Sequence, residues 1–180
     1  MGTLGDGGAC SFYANKTITT GEGGMIVTTR DDLKERIQLM RLHGIDRDVW
    51  NRYSKEAGHL SWQYDIKAPG FKYNMTNFQA AMGRVQLRKA LKYKEERKKQ
   101  AFLYHKAFEN METLEIPPSG DDHAWHLYML RLNLEKLSIS RNDFMLALFE
   151  RGINCSVHFK PLHMMTYYKE TYHFKDEDFP

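Results

Sequence analysis

Ser11-Phe12-Tyr13-Ala14-Asn15-Lys16-Thr17-Ile18-Thr19-Thr20-Gly21-Glu22-Gly23-Gly24-Met25 is the stretch that decides how this chain is read. Ala9 to Tyr13 reads as a short buried strand, and Met25 to Thr28 as a second one beyond the glycines. Lys16 thus stands where a strand gives way to a loop, its amine on a fixed stem. An amine that attacks a carbonyl needs partial desolvation to lower its pKa, and an anion-binding point nearby. Ser11, five residues upstream, offers a hydroxyl for that purpose. On residue chemistry alone, a lysine beside a glycine-rich turn is more often a solvated surface group.

Working outward, Thr29-Arg30-Asp31-Asp32 supplies a cap for a helix that carries Leu33, Ile37 and Met40 to about His43, where Gly44 stops it. Residues 45–72 lack periodicity but hold Trp50, Trp62 and several tyrosines, and are expected to form an ordered excursion at an oligomer interface. From Met75 a long helix is predicted towards Asn110, with Thr76 as N-cap and Gln79 completing a capping box. Beyond Pro117-Pro118-Ser119-Gly120 a second unit is expected. Its elements are a strand over Trp125–Leu132, a helix over Arg141–Arg151 capped within Ser138–Asp143 and ended by Gly152, a strand over Asn154–Phe159, and a short helix over Met165–Tyr172. A helix this long usually joins two bodies, so the domain boundary is placed near its middle, giving domains 1–92 and 93–180.

With 180 residues, 42% hydrophobic and 27% charged, the chain can bury a core of one ordinary or two small domains. The net charge of +3 is small, and the basic run Lys89 to Lys99 includes Glu95 and Glu96, as a solvated helix face does. Nucleic acid is an unexpected partner on this pattern. Cys10 and Cys155 are expected as buried thiols in a reducing compartment, and no Cys/His cluster has zinc-ligand spacing. No signal peptide or long apolar run is seen, so a soluble cytoplasmic protein, without a membrane partner, is expected. Met1 to Gly8 enters the lysine strand with no preceding structure, and Phe174 to Pro180 stops after an acidic loop, as in a piece of something longer.

Three motifs follow one another in register. The first is Ser11 to Lys16 with its Thr-Ile-Thr-Thr-Gly-Glu-Gly-Gly-Met continuation. The second is Pro69-Gly70-Phe71-Lys72-Tyr73-Asn74-Met75-Thr76 leading into Gln79-Ala80-Ala81. The third pairs His126-Leu127-Tyr128 with Ser156-Val157-His158-Phe159-Lys160-Pro161-Leu162-His163. Together they resemble the DegT/DnrJ/EryC1/StrS sugar aminotransferases, and most closely the perosamine-synthase-like branch, over nearly the whole chain. The resemblance implies an α/β fold, a fragment of the pyridoxal-phosphate-dependent type I aminotransferase architecture. The fragment holds the end of the large domain plus most of the small α+β domain, truncated at both ends.

The resemblance also implies roles. Lys16 would form a Schiff base with pyridoxal 5′-phosphate and then act as general acid and base. Ser11 would hold the cofactor phosphate; the plain alternative is a buried strand serine. Lys72 or Asn74 would reach the phosphate of a neighbouring subunit, relatives having asparagine and arginine at these two positions. His158 and His163 would meet sugar hydroxyls or a diphosphate, or else pack and cap, and Tyr13 and Asn15 would line the cavity. Glu22 is expected to close its turn through backbone amides, and His43 and Trp50 to serve packing. The implied activity moves an amino group, with glutamate as donor, to a keto-sugar nucleotide in a homodimer with shared active sites. The dehydratase branch of the family has histidine in place of the lysine, so Lys16 speaks against it. The family's pyridine-nitrogen aspartate and stacking aromatic belong upstream of Lys16, outside this sequence. A fragment that binds no cofactor is therefore the other reading.

Overall fold

The computed structural model describes residue 2 and residues 4–46 and 64–179. Contacts divide the chain into two units, Met1–Tyr104 with Ser119–Tyr128, and His105–Pro118 with Met129–Pro180.

The first unit begins with the expected pair of strands, β1 (Gly8–Ser11) and β2 (Gly24–Val27), antiparallel with Gly8 opposite Val27 and Ser11 opposite Gly24. They are not buried. Ile26 is 54% exposed, because no third layer among the described residues covers this two-stranded ribbon.

Helix α1 (Asp31–Met40) follows, but without the expected side-chain cap. Arg30 holds the extended N-cap position, its own N–H donates to Thr28 Oγ1 at 3.1 Å, and its guanidinium bridges Asp6 at 3.0 Å and Asp32 at 2.6 Å. Those hydrogen bonds hold the Asp32 carboxyl below the usual carboxylate range. At the other end Gly44 turns the chain with φ of 72°, and its N–H donates to Leu39 O at 3.0 Å. A side chain at Gly44 would collide with the Ala68 carbonyl, so glycine is required here on two counts. The segment after residue 63 lies beside this turn: Leu42 bridges Lys72, Ile45 bridges Ile66, and Tyr73 N–H donates to Arg41 O at 2.8 Å. Trp50, Trp62 and most of the expected 45–72 excursion fall outside the described residues.

Helix α2 (Asn77–Phe108) runs for 32 residues, and Ala101 is its one buried residue. Its start is the predicted capping box: Thr76 N–H donates to Gln79 Oε1 at 2.8 Å, and Gln79 N–H returns to Thr76 Oγ1 at 3.3 Å. The apolar stripe is left open, with Phe78 90% and Leu91 79% exposed. Trp125 corrects the next expectation. It takes a positive φ of 50° and its buried ring packs on His123 and Tyr128, with centroids 4.1 and 5.8 Å away. Ring packing has overridden the extended backbone, and burial pushes the Tyr128 phenol up. The expected strand over Trp125–Leu132 shrinks accordingly to β4 (Arg131–Leu132).

In the second unit β4 pairs antiparallel with β3 (Leu114–Glu115), and Arg131 meets Glu115 across the pair at 3.1 Å. Helix α3 (Arg141–Glu150) is capped by Ser140, whose Oγ accepts from the Asp143 N–H at 3.2 Å, and Gly152 leaves it with φ of 78°. Helix α4 (Thr166–Tyr172) stands where the short helix was expected. Residues 154–159 form no strand, and no described strand lies beside them to take their hydrogen bonds. Cys155 is accordingly exposed rather than buried, while Cys10 is half-buried; both are free thiols.

Candidate active site at the Lys16 loop

The residues between β1 and β2 form a loop closed at its base by the main chain. Phe12 N–H donates to Gly23 O at 2.8 Å, and Thr20 N–H donates to Phe12 O at 2.9 Å. Thr19 Oγ1 adds a bond to Phe12 O at 3.2 Å and accepts from the Gly21 N–H at 2.9 Å. Inside this closure Lys16 N–H donates to Tyr13 O at 3.0 Å, a turn that fixes the stem of the side chain. Lys16 is half-buried, and its Nζ has no hydrogen bond or ion pair among the described residues. An amine so placed keeps its lone pair, once deprotonated, for an incoming carbonyl.

Ser11 sits at the end of β1, exposed rather than buried in the strand. Its Oγ accepts from the Tyr13 N–H at 3.3 Å, which leaves the hydroxyl proton for another acceptor. Tyr13 and Asn15 flank Lys16 on the same loop and are exposed. Lys72 and Asn74 lie in the same unit, on the segment that enters α2. The Lys72 side chain is exposed, while Asn74 Oδ1 is buried without a hydrogen-bond partner among the described residues. His158 and His163 belong to the second unit, each against an aromatic ring: His158 on Phe159 at 3.8 Å and His163 stacked on Phe179 at 4.5 Å. The candidates thus fall into a loop cluster, a helix-entry pair and two ring-packed histidines.

Two functional supports escape a residue-by-residue reading. Thr20, 4% exposed, is the buried polar residue of the loop, and its Oγ1 donates to Glu22 O at 2.7 Å. Gln79, beyond capping, donates from Nε2 to that same Glu22 oxygen at 2.8 Å. Glu22 closes the turn through its carbonyl and not through its carboxylate. The sequence signal for Thr20 is only its place before Gly21; for Gln79 it is an amide where a carboxylate would cap equally well. Among the described residues no group of three His, Cys, Asp or Glu side chains is placed to hold a metal ion. No described helix is long and apolar enough to cross a membrane. An open cavity of about 340 Å³ between α3 and residues 154–155 is lined by none of these candidates.

The site is thus a lysine on a loop between two strands, with a hydroxyl upstream and a capped helix tied to the loop. The sequence profile of the DegT/DnrJ/EryC1/StrS aminotransferase family matches residues 1–180. The chain belongs to the DegT/DnrJ/EryC1/StrS aminotransferase family.

Within it, the chain is 47% identical to the protein MJ1066 of Methanocaldococcus jannaschii, over all of this chain and 46% of that one. It is 40% identical to the spore coat polysaccharide biosynthesis protein SpsC of Bacillus subtilis, again over all of this chain and 46% of its relative. Among solved structures it resembles Spr1654 of Streptococcus pneumoniae, described as a sugar aminotransferase, in its PMP form. The TM-score is 0.83 at 29% identity, over 99% of this chain and 45% of that one. The PLP form of the same protein gives a TM-score of 0.81. The expected fold class is therefore borne out. The chain spans less than half the length of the relatives it matches.

Proposed function

We propose that this chain carries the lysine-bearing part of a pyridoxal-phosphate-dependent sugar aminotransferase. The reaction exchanges the amine of glutamate for the carbonyl oxygen of a keto-sugar nucleotide, releasing 2-oxoglutarate, in the building of a polysaccharide or glycan precursor. One observation carries the reading: Lys16, half-buried on a loop closed at Phe12, has a side-chain amine with no partner among the described residues.

The donor set suits the cofactor. Lys16 supplies the amine, and Ser11 supplies a hydroxyl proton for a phosphate oxygen. Pyridoxal phosphate, when bound, supplies the electron sink that stabilises charge at the substrate carbon. Lys16 would hold the cofactor through Nζ and would carry a proton to or from the reacting carbon. Lys72 or Asn74 is assigned to the cofactor phosphate of a second copy in a homodimer, and Tyr13 and Asn15 to the wall around the amine. His158 and His163 are assigned to the sugar hydroxyls or diphosphate, with C4 of the sugar as the aminated carbon and the cytoplasm as the compartment.

The test is chemical. The purified chain is incubated with pyridoxal phosphate, reduced with borohydride and mapped by peptide mass. Label concentrated on Lys16 is the expected result, and it disappears in Lys16→Ala. Label spread evenly over the surface lysines would overturn the assignment.

A further inference from the structure

Gln79 uses both the oxygen and the nitrogen of its amide. Oε1 accepts from Thr76 N–H at 2.8 Å and from the Thr76 hydroxyl at 2.9 Å, while Nε2 donates to Glu22 O at 2.8 Å. The Glu22 oxygen also takes the Thr20 hydroxyl at 2.7 Å, so both its lone pairs are engaged. The two acceptor bonds belong to the helix cap. The donor bond belongs to the loop that carries Lys16.

That loop needs a lateral tie. Its main-chain closure at Phe12 fixes only the base, and the ribbon beneath it has two strands with exposed side chains. A ribbon of that kind is marginally stable alone, so the loop could pivot on it. The start of α2 supplies the second fixed point. There Gly83 leaves room for the Thr20 methyl, since a Cβ at that position would stand 2.9 Å from it. Gly23 is packed against the Thr20 hydroxyl and the Met75 methyl, the latter 3.3 Å from where a Cβ would sit. Thr20 lies four residues beyond Lys16 in the same closed loop.

We propose that Gln79 is a positioning residue for Lys16, clamping the lysine loop to the N-terminus of α2 through the Glu22 carbonyl. The proposal rests on the reading of Lys16 as the reactive amine. Capping explains a Gln or a Glu at this position equally; only Gln has an N–H left for Glu22. Holding a reacting group in place to well under an ångström is worth orders of magnitude in rate, so a clamp of this kind acts on chemistry without touching substrate.

The two roles separate in Gln79→Glu, which keeps the capping box and loses the donor, with Gln79→Met as the variant that loses both. Deuterium exchange of the full chain is followed by mass spectrometry. In parallel, borohydride-trapped pyridoxal phosphate on Lys16 is compared with that on the exposed Lys92 of the same molecule. In Gln79→Glu, exchange over residues 16–23 is expected to rise about tenfold, the amides of α2 to stay protected, and the Lys16-to-Lys92 label ratio to fall several-fold. Gln79→Met should loosen both loop and cap. Unchanged loop exchange in Gln79→Glu would overturn the clamp. A loosened loop with an unchanged label ratio would overturn the positioning role. Wild type without preferential label on Lys16 would sink the aminotransferase reading instead, and the exchange result would still decide the clamp.

Discussion

Thr20 Oγ1 donates to the main-chain oxygen of Glu22 at 2.7 Å, two residues along the turn that closes the lysine loop. Thr20→Val keeps the shape and removes that bond, while the Glu22 oxygen retains Gln79. The expected cost is about 1 kcal/mol of stability, the net worth of one buried neutral hydrogen bond. Urea denaturation measures it, and a variant as stable as wild type would show the bond to be idle.

Gly83→Ala sets two effects against each other. Alanine improves an interior helix position by about 1 kcal/mol. The new methyl, however, would stand 2.9 Å from Thr20 Cγ2, on a β-branched side chain held by its own hydroxyl. The contact is expected to win, and the thermal midpoint to fall. A raised midpoint would mean that Thr20 yields easily, which would weaken the rigidity assigned to the loop.

Lys16→Ala should be silent in stability and loud in labelling. The ammonium has no partner among the described residues, so its loss is expected to change stability by under about 0.5 kcal/mol. Trapped pyridoxal phosphate at that peptide should vanish. A large loss of stability would reveal a structural lysine.

Ser140→Ala removes both cap bonds of α3, the Asp143 N–H at 3.2 Å and the hydroxyl contact to Asp143 Oδ2 at 2.6 Å. About 1 kcal/mol is expected, with Ser140→Gly costing only a few tenths. Equal losses in the two variants would point away from capping.

Asp32 carries a pH signature. Its folded pKa lies below the ordinary 3.8 because Arg30 hydrogen-bonds its carboxylate. A depressed carboxyl contributes stability that is present above 3.8 and is lost as pH falls through the folded value. Carbon NMR of the Asp32 carboxyl should give a midpoint below 3.8 in wild type, returning towards it in Arg30→Gln. An undisplaced wild-type midpoint would remove the Arg30–Asp32 contact from solution.

What the sequence makes legible here is what is local. The Thr76–Gln79 box, the Ser140 cap and the Gly44 and Gly152 exits each depend on residues within a turn of one another, and all four form as read. The two strands around the lysine are also legible, from short apolar runs on either side of the glycines, although they are not buried as expected. What fails depends on ring packing and strand pairing, which hydrophobic periodicity does not report. Trp125 leaves the extended state because its ring finds Tyr128 and His123, and residues 154–159 remain unpaired because a strand needs a neighbour that periodicity does not supply. At the candidate site, Lys16 and Ser11 declare themselves by motif, whereas Thr20 and the second use of Gln79 emerge only when loop and helix are brought together.

The uncovered side chains of Phe78 and Leu91 also govern how this polypeptide behaves in bulk. Apolar surface facing water attracts its like on other molecules, so the osmotic second virial coefficient should be negative. A net charge of only +3 offers little mutual repulsion to oppose that attraction, and added salt would screen what there is. Association should then grow as protein concentration rises, and both dilution and cooling, which weakens apolar attraction, should help to keep the chain in solution.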